Sequence, residues 1–511
     1  MANIKNIMLK NKSKLKKWVI LVLFILYIII QFITIMAFPI VHSDEIWLRS
    51  IANQMWTDKS YAITESYFDL LPRVVHPFRW FYNALLVLVM PFLGDGVFSI
   101  RTISLIFACF SLLIFYRFAN IKTNNRWLSL MITATLAVNI QFLYSAHQGR
   151  QEMVLFFLMT LGLYLLLQNH SHLLFKLLLI TFIALGVHPN SFILAGIFFA
   201  ALLFKLGPKK AGLYFLGTTG IAFLYWCFGN HIQPDFLTGY LSYGATQGIE
   251  PSASNRLLGL YWYFYKLYHQ IGGTYDLFDI RMNLILFALI LLSTVLWLKV
   301  RDLLLICICG LTYILSLFLI GRYNQTAIVF IMMLQTFFII LAYPSFPKRL
   351  YTILLALFLL MTGYQTFMNL SAYEINHFYS VNYETVIQEI KKTVPESATV
   401  LGNLNILEGV SQAHFFDVRN LTFYRGDLSN YLISHGIEYV ILHDEMDYIY
   451  RNAPRWNFMY GELHYYLDLM NYLDENATLV KTIDNPLYAM RIARFSGTYP
   501  WQTRIYHLNL N

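Results

Sequence analysis

Apolar runs of about 20 residues recur along this chain, and short basic clusters sit between them. The runs cover residues 18–39, 99–119, 127–146, 151–168, 172–187, 190–205, 211–229, 281–299, 302–320, 324–343 and 349–369. A helix needs about 20 residues to cross the bilayer core, with a range near 17–25. The pattern therefore predicts an all-α polytopic membrane bundle of about eleven transmembrane helices. Composition points the same way: 58% of the residues are hydrophobic and 13% charged, against about 25% charged in an ordinary soluble domain.

The net charge of +9 is not the footprint of a nucleic-acid-binding face. Between the apolar runs its basic residues cluster at Lys5–Lys17, Arg117–Arg126, Lys205–Lys210, Lys299–Arg301 and Lys348–Arg349, which is how a positive-inside bias is written. The run from Trp18 to Pro39 is too long for a signal-peptide core and has no small-residue cleavage site after it, so it reads as a signal anchor. Residues 1–17 are then a cytoplasmic basic N-terminus. Residues 18–374 are a transmembrane domain with outer loops at 40–98 and 230–280, and residues 375–511 are an extracytoplasmic domain. The run Trp80–Leu93 is short for a span. Counting it as one would invert the later loops, so it is expected to skirt the membrane. In the tail, Ser397–Leu401 and Glu438–Leu442 read as short strands, alternating with helical patterns at 382–393, 427–435 and 459–474. That alternation predicts a small C-terminal α/β domain. Cys109, Cys227, Cys307 and Cys309 lie in or beside apolar runs without CxxC spacing, so neither a disulfide framework nor a thiolate metal site is expected.

Polar residues cluster where the predicted helices end. His42-Ser43-Asp44-Glu45 follows the first span, and adjacent carboxylates at a membrane exit need a partner or water. Ser43 or Asp44 also suits the N-cap of a helix over Glu45–Met55. Arg150-Gln151-Glu152 opens the fourth span, where an acid is favoured by the helix dipole. His188-Pro189-Asn190 ends the fifth span and Gly321-Arg322-Tyr323-Asn324 the ninth. Each has an ordinary reading as a cap or an interfacial charge. Together, Asp44, Arg150, Glu152, His188 and Arg322 are predicted on one membrane face, where a bundle can converge on a pocket. Such a pocket suits glycosyl transfer from a lipid phosphate. A carboxylate takes the proton of the attacking hydroxyl, and cationic groups meet the charge that builds on the departing phosphate. The stretch Tyr261–Tyr268 reads as interfacial, with sugar stacking as the alternative. His443-Asp444-Glu445 reads as a turn after a strand rather than a metal cluster.

The order of these features resembles the GT-C glycosyltransferases, specifically the dolichyl-phosphate-mannose-protein mannosyltransferase-like group that includes the bacterial lipid A aminoarabinose transferases. Asp44-Glu45 matches the family's acidic pair after the first helix. His76-Pro77 matches its His-Pro motif, with Phe78 where a second proline is frequent. Arg150-Gln151-Glu152 matches an Arg-x-Asp motif, with Glu for Asp. Arg322-Tyr323 matches a late Arg-Tyr pair without the proline that usually follows. The segment Gly436–Ile441 resembles a strand common in the extracytoplasmic domains of bacterial members. The resemblance implies an inverting transferase with Asp44 as catalytic base and Glu45 and Glu152 beside it. Arg150, His76, His188, Arg322 and Tyr323 would then bind substrate. It implies a polyprenyl-phosphate-sugar donor and an extracytoplasmic glycan, lipid or protein acceptor. No cofactor is indicated and no metal-ligand set stands out; a divalent cation stays open. The competing readings are a flippase or transporter for a lipid-linked sugar, and a polysaccharide polymerase using diphosphate-linked donors. Against the transporter, the acids lie at helix ends and no internal repeat is visible.

Overall fold

The computed structural model describes residues 2–61, 64–70, 73, 75–246, 252–270, 278–295, 301–321, 323, 325–377, 383–452, 463–484 and 501–509. The helices α1 (Ala2–Thr34), α2 (Ser43–Asp58), α3 (Trp80–Leu93), α4 (Val97–Thr123), α5 (Arg126–Ala137), α6 (Ile140–His147) and α7 (Glu152–Leu167) form the first half of the bundle. They are followed by α8 (Leu173–Leu185), α9 (Ser191–Leu206), α10 (Pro208–Ile232), α11 (Phe236–Thr246), α12 (Ala253–His269), α13 (Arg281–Val295), α14 (Arg301–Ile320), α15 (Val329–Ala342) and α16 (Lys348–His377). Among the described residues, five helical segments are long and apolar enough to cross a membrane: Val97–Thr123, Pro208–Ile232, Arg301–Ile320, Thr326–Ser345 and Lys348–Ala372. Several shorter apolar helices pack among them. The chain is a multi-pass membrane protein.

Burial grades these helices. The span Thr326–Ser345 has 89% of its apolar window buried, whereas Pro208–Ile232 has 17%. The first is therefore central. The second turns Leu213, Phe215, Leu216, Phe223 and Leu224 outward, as lipid-facing residues must. One continuous core joins α3 to α16, with Phe115, Phe118, Phe156, Phe198 and Phe337 fully enclosed.

The sequence predicts a single span over 127–146. The structure breaks it instead into α5 and α6, bent by 68°. Asn139 causes the break: its side chain accepts from the backbone N–H of Gln141 and Phe142 and so starts a new helix. Thr366 on α16 donates to the carbonyl of Val138 at 2.6 Å, supplying a partner beside the bend.

The tail folds as a five-stranded sheet of order β2-β1-β3-β5-β4, with β1 (Val400–Gly402), β2 (Phe415–Asp417), β3 (Tyr439–His443), β4 (Ala477–Asp484) and β5 (Gln502–Leu508). β1 pairs parallel with β2 and β3, while β5 pairs antiparallel with β3 and β4. The helices α17 (Tyr383–Thr393), α18 (Leu428–Ser434), α19 (Glu445–Asn452) and α20 (Leu463–Asn476) flank it. Strands β1 and β3 and helices α17, α18 and α20 overlap the segments predicted from sequence. In His443-Asp444-Glu445, His443 ends β3, Asp444 makes the turn and Glu445 opens α19.

This sheet is not a detached appendage. Val386, Ile387, Ile390 and Leu407 share a core with Val41 and Ile46 at the start of α2 and with Tyr67 and Phe68 in the following loop. Asn420 donates to the Tyr67 carbonyl at 2.9 Å and accepts from the N–H groups of Asp69 and Leu70. Tyr431 and His435 both reach the Asp69 carboxylate at 3.0 Å. Arg49 on α2 meets Asp95 at 2.6 Å and Glu408 at 3.7 Å. The C-terminal domain thus grips α2 and the loop that carries Glu65 and His76.

Candidate active site

The site begins where the chain leaves α1 and turns into α2. The cap of α2 is His42, not Ser43 or Asp44. Its ring accepts from the Asp44 N–H at 3.0 Å, and the Glu45 carboxylate accepts from the His42 N–H at 2.8 Å, a reciprocal capping box. Capping fixes the first turn of α2, and the roughly 100° between successive residues then sends Asp44 and Glu45 to different sides.

Glu45 points into the bundle. One oxygen accepts from Arg101 Nε at 2.8 Å and from the Gly149 N–H at 2.6 Å; the other accepts from Arg101 Nη2 at 2.9 Å. Both side chains of this pair are fully buried. Arg101 also donates to the carbonyls of Ile35 and Pro39 at 2.8 and 2.9 Å, so it binds the end of α1 to α2. The sequence groups Glu45 with Asp44, but both oxygens of its carboxylate are taken by donors of the fold itself.

Asp44 faces the other way and keeps 31% of its side chain exposed. Its Oδ2 accepts from Arg150 Nη1 at 2.6 Å. Arg150 reaches on to Glu152, with Nε and Nη2 at 3.2 and 3.0 Å from its two oxygens. Glu152 opens α7 and also accepts from the Thr326 hydroxyl at 2.9 Å. Ser104 on α4 pins the Arg150 carbonyl at 3.1 Å. Three segments distant in sequence, at 44, 150–152 and 326, therefore meet in one charge-assisted chain. Asp44 is its accessible end, and Arg150 and Glu152 are buried.

Beside it lies a second polar group. His76 Nε2 stands 3.3 Å from Glu65 Oε1, and Trp47 Nε1 donates to the same oxygen at 2.9 Å. The Trp47 ring meets the His76 ring edge-on at 5.2 Å, and the Arg79 guanidinium lies 4.4 Å from the Trp47 ring centre. Glu65 sits in a loop outside the spans. Burial works to raise its pKa, but the hydrogen bonds and charge of His76, with Trp47, outweigh it and hold the carboxyl below the usual range. Among the described residues no group of three or more His, Cys, Asp or Glu side chains converges as a metal site would.

His188 and Tyr323 have local partners of their own. His188 accepts from the Asn190 N–H at 3.0 Å and turns the chain into α9. Tyr323 donates its hydroxyl to the Arg256 carbonyl and stacks near Tyr263. Arg322 lies outside the described residues. Sequence reasoning missed Arg101, Glu65, Trp47 and Thr326. Arg101 carried a usable signal, since a lone charge inside an apolar run demands a partner; the others carried none.

No protein-family model matches the sequence, and no curated protein matches it. Solved structures do match in shape. ArnT from Cupriavidus metallidurans bound to undecaprenyl phosphate superposes with a TM-score of 0.54 at 12% identity, over 97% of this chain and 98% of that one. The archaeal oligosaccharyltransferase AglB from Archaeoglobus fulgidus, in complex with an inhibitory peptide and a dolichol-phosphate, gives 0.52 at 11% identity, over 84% of this chain and 70% of that one. A further Archaeoglobus fulgidus oligosaccharyltransferase structure, with Zn and sulfate, gives 0.53 at 12% identity, over 92% and 73%. The chain has the fold of the GT-C glycosyltransferases.

Proposed function

We propose that the chain is a membrane glycosyltransferase that moves a sugar from a polyprenyl-phosphate carrier to a hydroxyl acceptor on the non-cytoplasmic face. The observation that carries this reading is the Asp44–Arg150–Glu152 chain, with Asp44 as its open end. Two structural neighbours hold a polyprenyl phosphate, undecaprenyl phosphate in ArnT and dolichol-phosphate in AglB, which supports a lipid-phosphate donor. The positive-inside pattern supports a cytoplasmic N-terminus and an extracytoplasmic C-terminal domain.

In the proposed reaction, Asp44 accepts the proton of the acceptor hydroxyl as its oxygen attacks the anomeric carbon. The new carbon–oxygen bond forms on the face opposite the phosphate, so the configuration inverts. The anomeric bond to the phosphate oxygen breaks, and the phosphate leaves with the electron pair. Arg150 orients the Asp44 carboxylate, and Glu152 in turn holds Arg150. Arg150 and Arg322 are the cations proposed to meet the charge that builds on the departing phosphate. His76, His188 and Tyr323 would shape the walls of the substrate cavity.

The test is a glycan profile of the membrane and wall fraction of the host with and without this chain. Loss of one sugar modification, restored by the wild type and not by Asp44→Asn at equal membrane abundance, is the expected result. An unchanged profile rejects the assignment.

A further inference from the structure

A small pocket sits between α2, α3 and the end of α10. Ile51 and Met55 of α2 line it with Tyr61, Trp80, Asn83 and Phe228, and the turn at Val75–Pro77, which carries His76, and Ile232 complete the lining. The free space at its base is about 20 Å³, room for one group the size of a water or a hydroxyl. Three aromatic rings stand in its wall beside aliphatic side chains: Tyr61 lies 5.8 Å from Phe228 at 31°, and Trp80 lies 6.3 Å from Phe228 at 84°. Tyr61 is half exposed at the mouth, while Asn83 is 5% exposed.

Two polar atoms here have no hydrogen-bond partner among the described residues, Trp80 Nε1 and Asn83 Oδ1. Buried polar atoms are ordinarily satisfied, so a donor and an acceptor left open together call for a ligand that offers both. A sugar hydroxyl does so, because it donates and accepts at once. An aromatic wall fits the apolar face of the same ring.

The position relative to Asp44 says which ring. Asp44, Ile51 and Met55 are spaced by seven and four residues and fall on one stripe of α2. Seven residues of helix rise by about 10 Å, which is beyond the ring that reacts at Asp44. We propose that this pocket is a subsite for the second ring of a saccharide acceptor. One hydroxyl would insert between Trp80 and Asn83, and the ring face would lie on Tyr61. This rests on the glycosyl-transfer reading and narrows its acceptor to a glycan of at least two rings.

The test uses the full chain in vesicles and, as probe, the host's envelope glycan cut to one, two and three rings. For the wild type, the half-saturating acceptor concentration should fall about tenfold from one ring to two. Trp80→Phe keeps the ring and removes the N–H; Asn83→Leu removes the acceptor. In both, that tenfold gain should vanish, with donor half-saturation and maximal rate unchanged. A wild type indifferent to length, variants that keep the gain, or an equal change for the donor overturns the proposal and leaves an ordinary water site. If the wild type transfers nothing, the transfer reading fails instead. Glycan binding to Asp44→Asn protein, followed by tryptophan fluorescence, then decides. A preference for two rings that Asn83→Leu abolishes supports the subsite, and no preference overturns it.

Discussion

Asp44 and Glu45 are neighbours in sequence and opposites in structure. Glu45 lies in a closed cluster with Arg101, Gly149 and the His42 backbone, with no exposure. Asp44 lies in an open one with Arg150 and Glu152, where about a third of its side chain is accessible. Both acids face an arginine at 2.6–2.8 Å, so proximity to a cation does not separate them. Occupancy together with exposure does. A carboxylate that is fully buried, with its oxygens all taken by fixed donors, cannot accept a substrate proton without breaking the fold. One that keeps a solvent-exposed edge can. The dipeptide thus combines an anchor that sets the geometry with a base that uses it.

The sharpest way to break this comparison is to neutralise each acid in turn. Asp44→Asn is expected to lower transfer by about 10²–10⁴-fold, the range for losing a general base, while the melting temperature of the purified protein stays put. Glu45→Gln should do the reverse in kind. It leaves Arg101 buried without its counter-charge, which costs roughly 3–5 kcal/mol, and appears as a large drop in thermal stability or in folded yield. If Asp44→Asn melts early, or Glu45→Gln folds normally and is merely inactive, the two parts are exchanged.

The sequence made half of this contrast readable. Long apolar runs and their charged borders mark the bundle because crossing a bilayer demands both. Asp44, Arg150 and Glu152 were singled out because polar residues at helix ends are few in such a chain. What could not be read was which way each side chain turns. That depends on His42 as cap, a choice between adjacent polar residues decided by one hydrogen bond. The break at Asn139 was hidden for a similar reason, since a single side chain interrupts an otherwise span-like run. Glu65 and Thr326 lie in segments without periodicity, and only tertiary contact brings them to His76 and Glu152. In the tail, β4 and β5 escaped notice. β4 is exposed on both faces from Thr478 to Thr482, so Leu479, Val480 and Lys481 follow one another without alternation.

Gly149 offers a finer probe of the closed cluster. A Cβ there would sit 2.3 Å from Ile100 Cγ1 and 3.1 Å from Glu45 Oε1. Gly149→Ala should therefore push α4 and the Glu45 carboxylate apart and cost about 1–3 kcal/mol, as overpacking does. Thermal melts in detergent measure this. Transfer by the surviving folded protein should fall less than in Asp44→Asn, because Asp44 keeps its own partner.

The smallest effect tests whether occupancy governs carboxylates beyond this dipeptide. Glu65 is buried and Glu408 largely so, both lie outside the spans, and their pKa values move oppositely. Burial pushes Glu408 above its usual 4.5, against the pull of Arg49 and the Val97 N–H. For Glu65, His76 and Trp47 outweigh burial and hold the carboxyl below 4.5. The raised acid binds its proton more tightly when folded, so it favours the fold at low pH and loses that contribution as pH rises through its folded value. The lowered acid stabilises above its usual 4.5 and loses that contribution as pH falls through its folded value. Melting temperatures followed from below the usual 4.5, where Glu65 titrates, to above it, where Glu408 does, should therefore diverge. Relative to wild type, Glu408→Gln gains stability with rising pH, and Glu65→Gln loses it. Parallel slopes would mean that hydrogen-bond occupancy does not discriminate between these acids, and would weaken the same argument for Asp44 against Glu45.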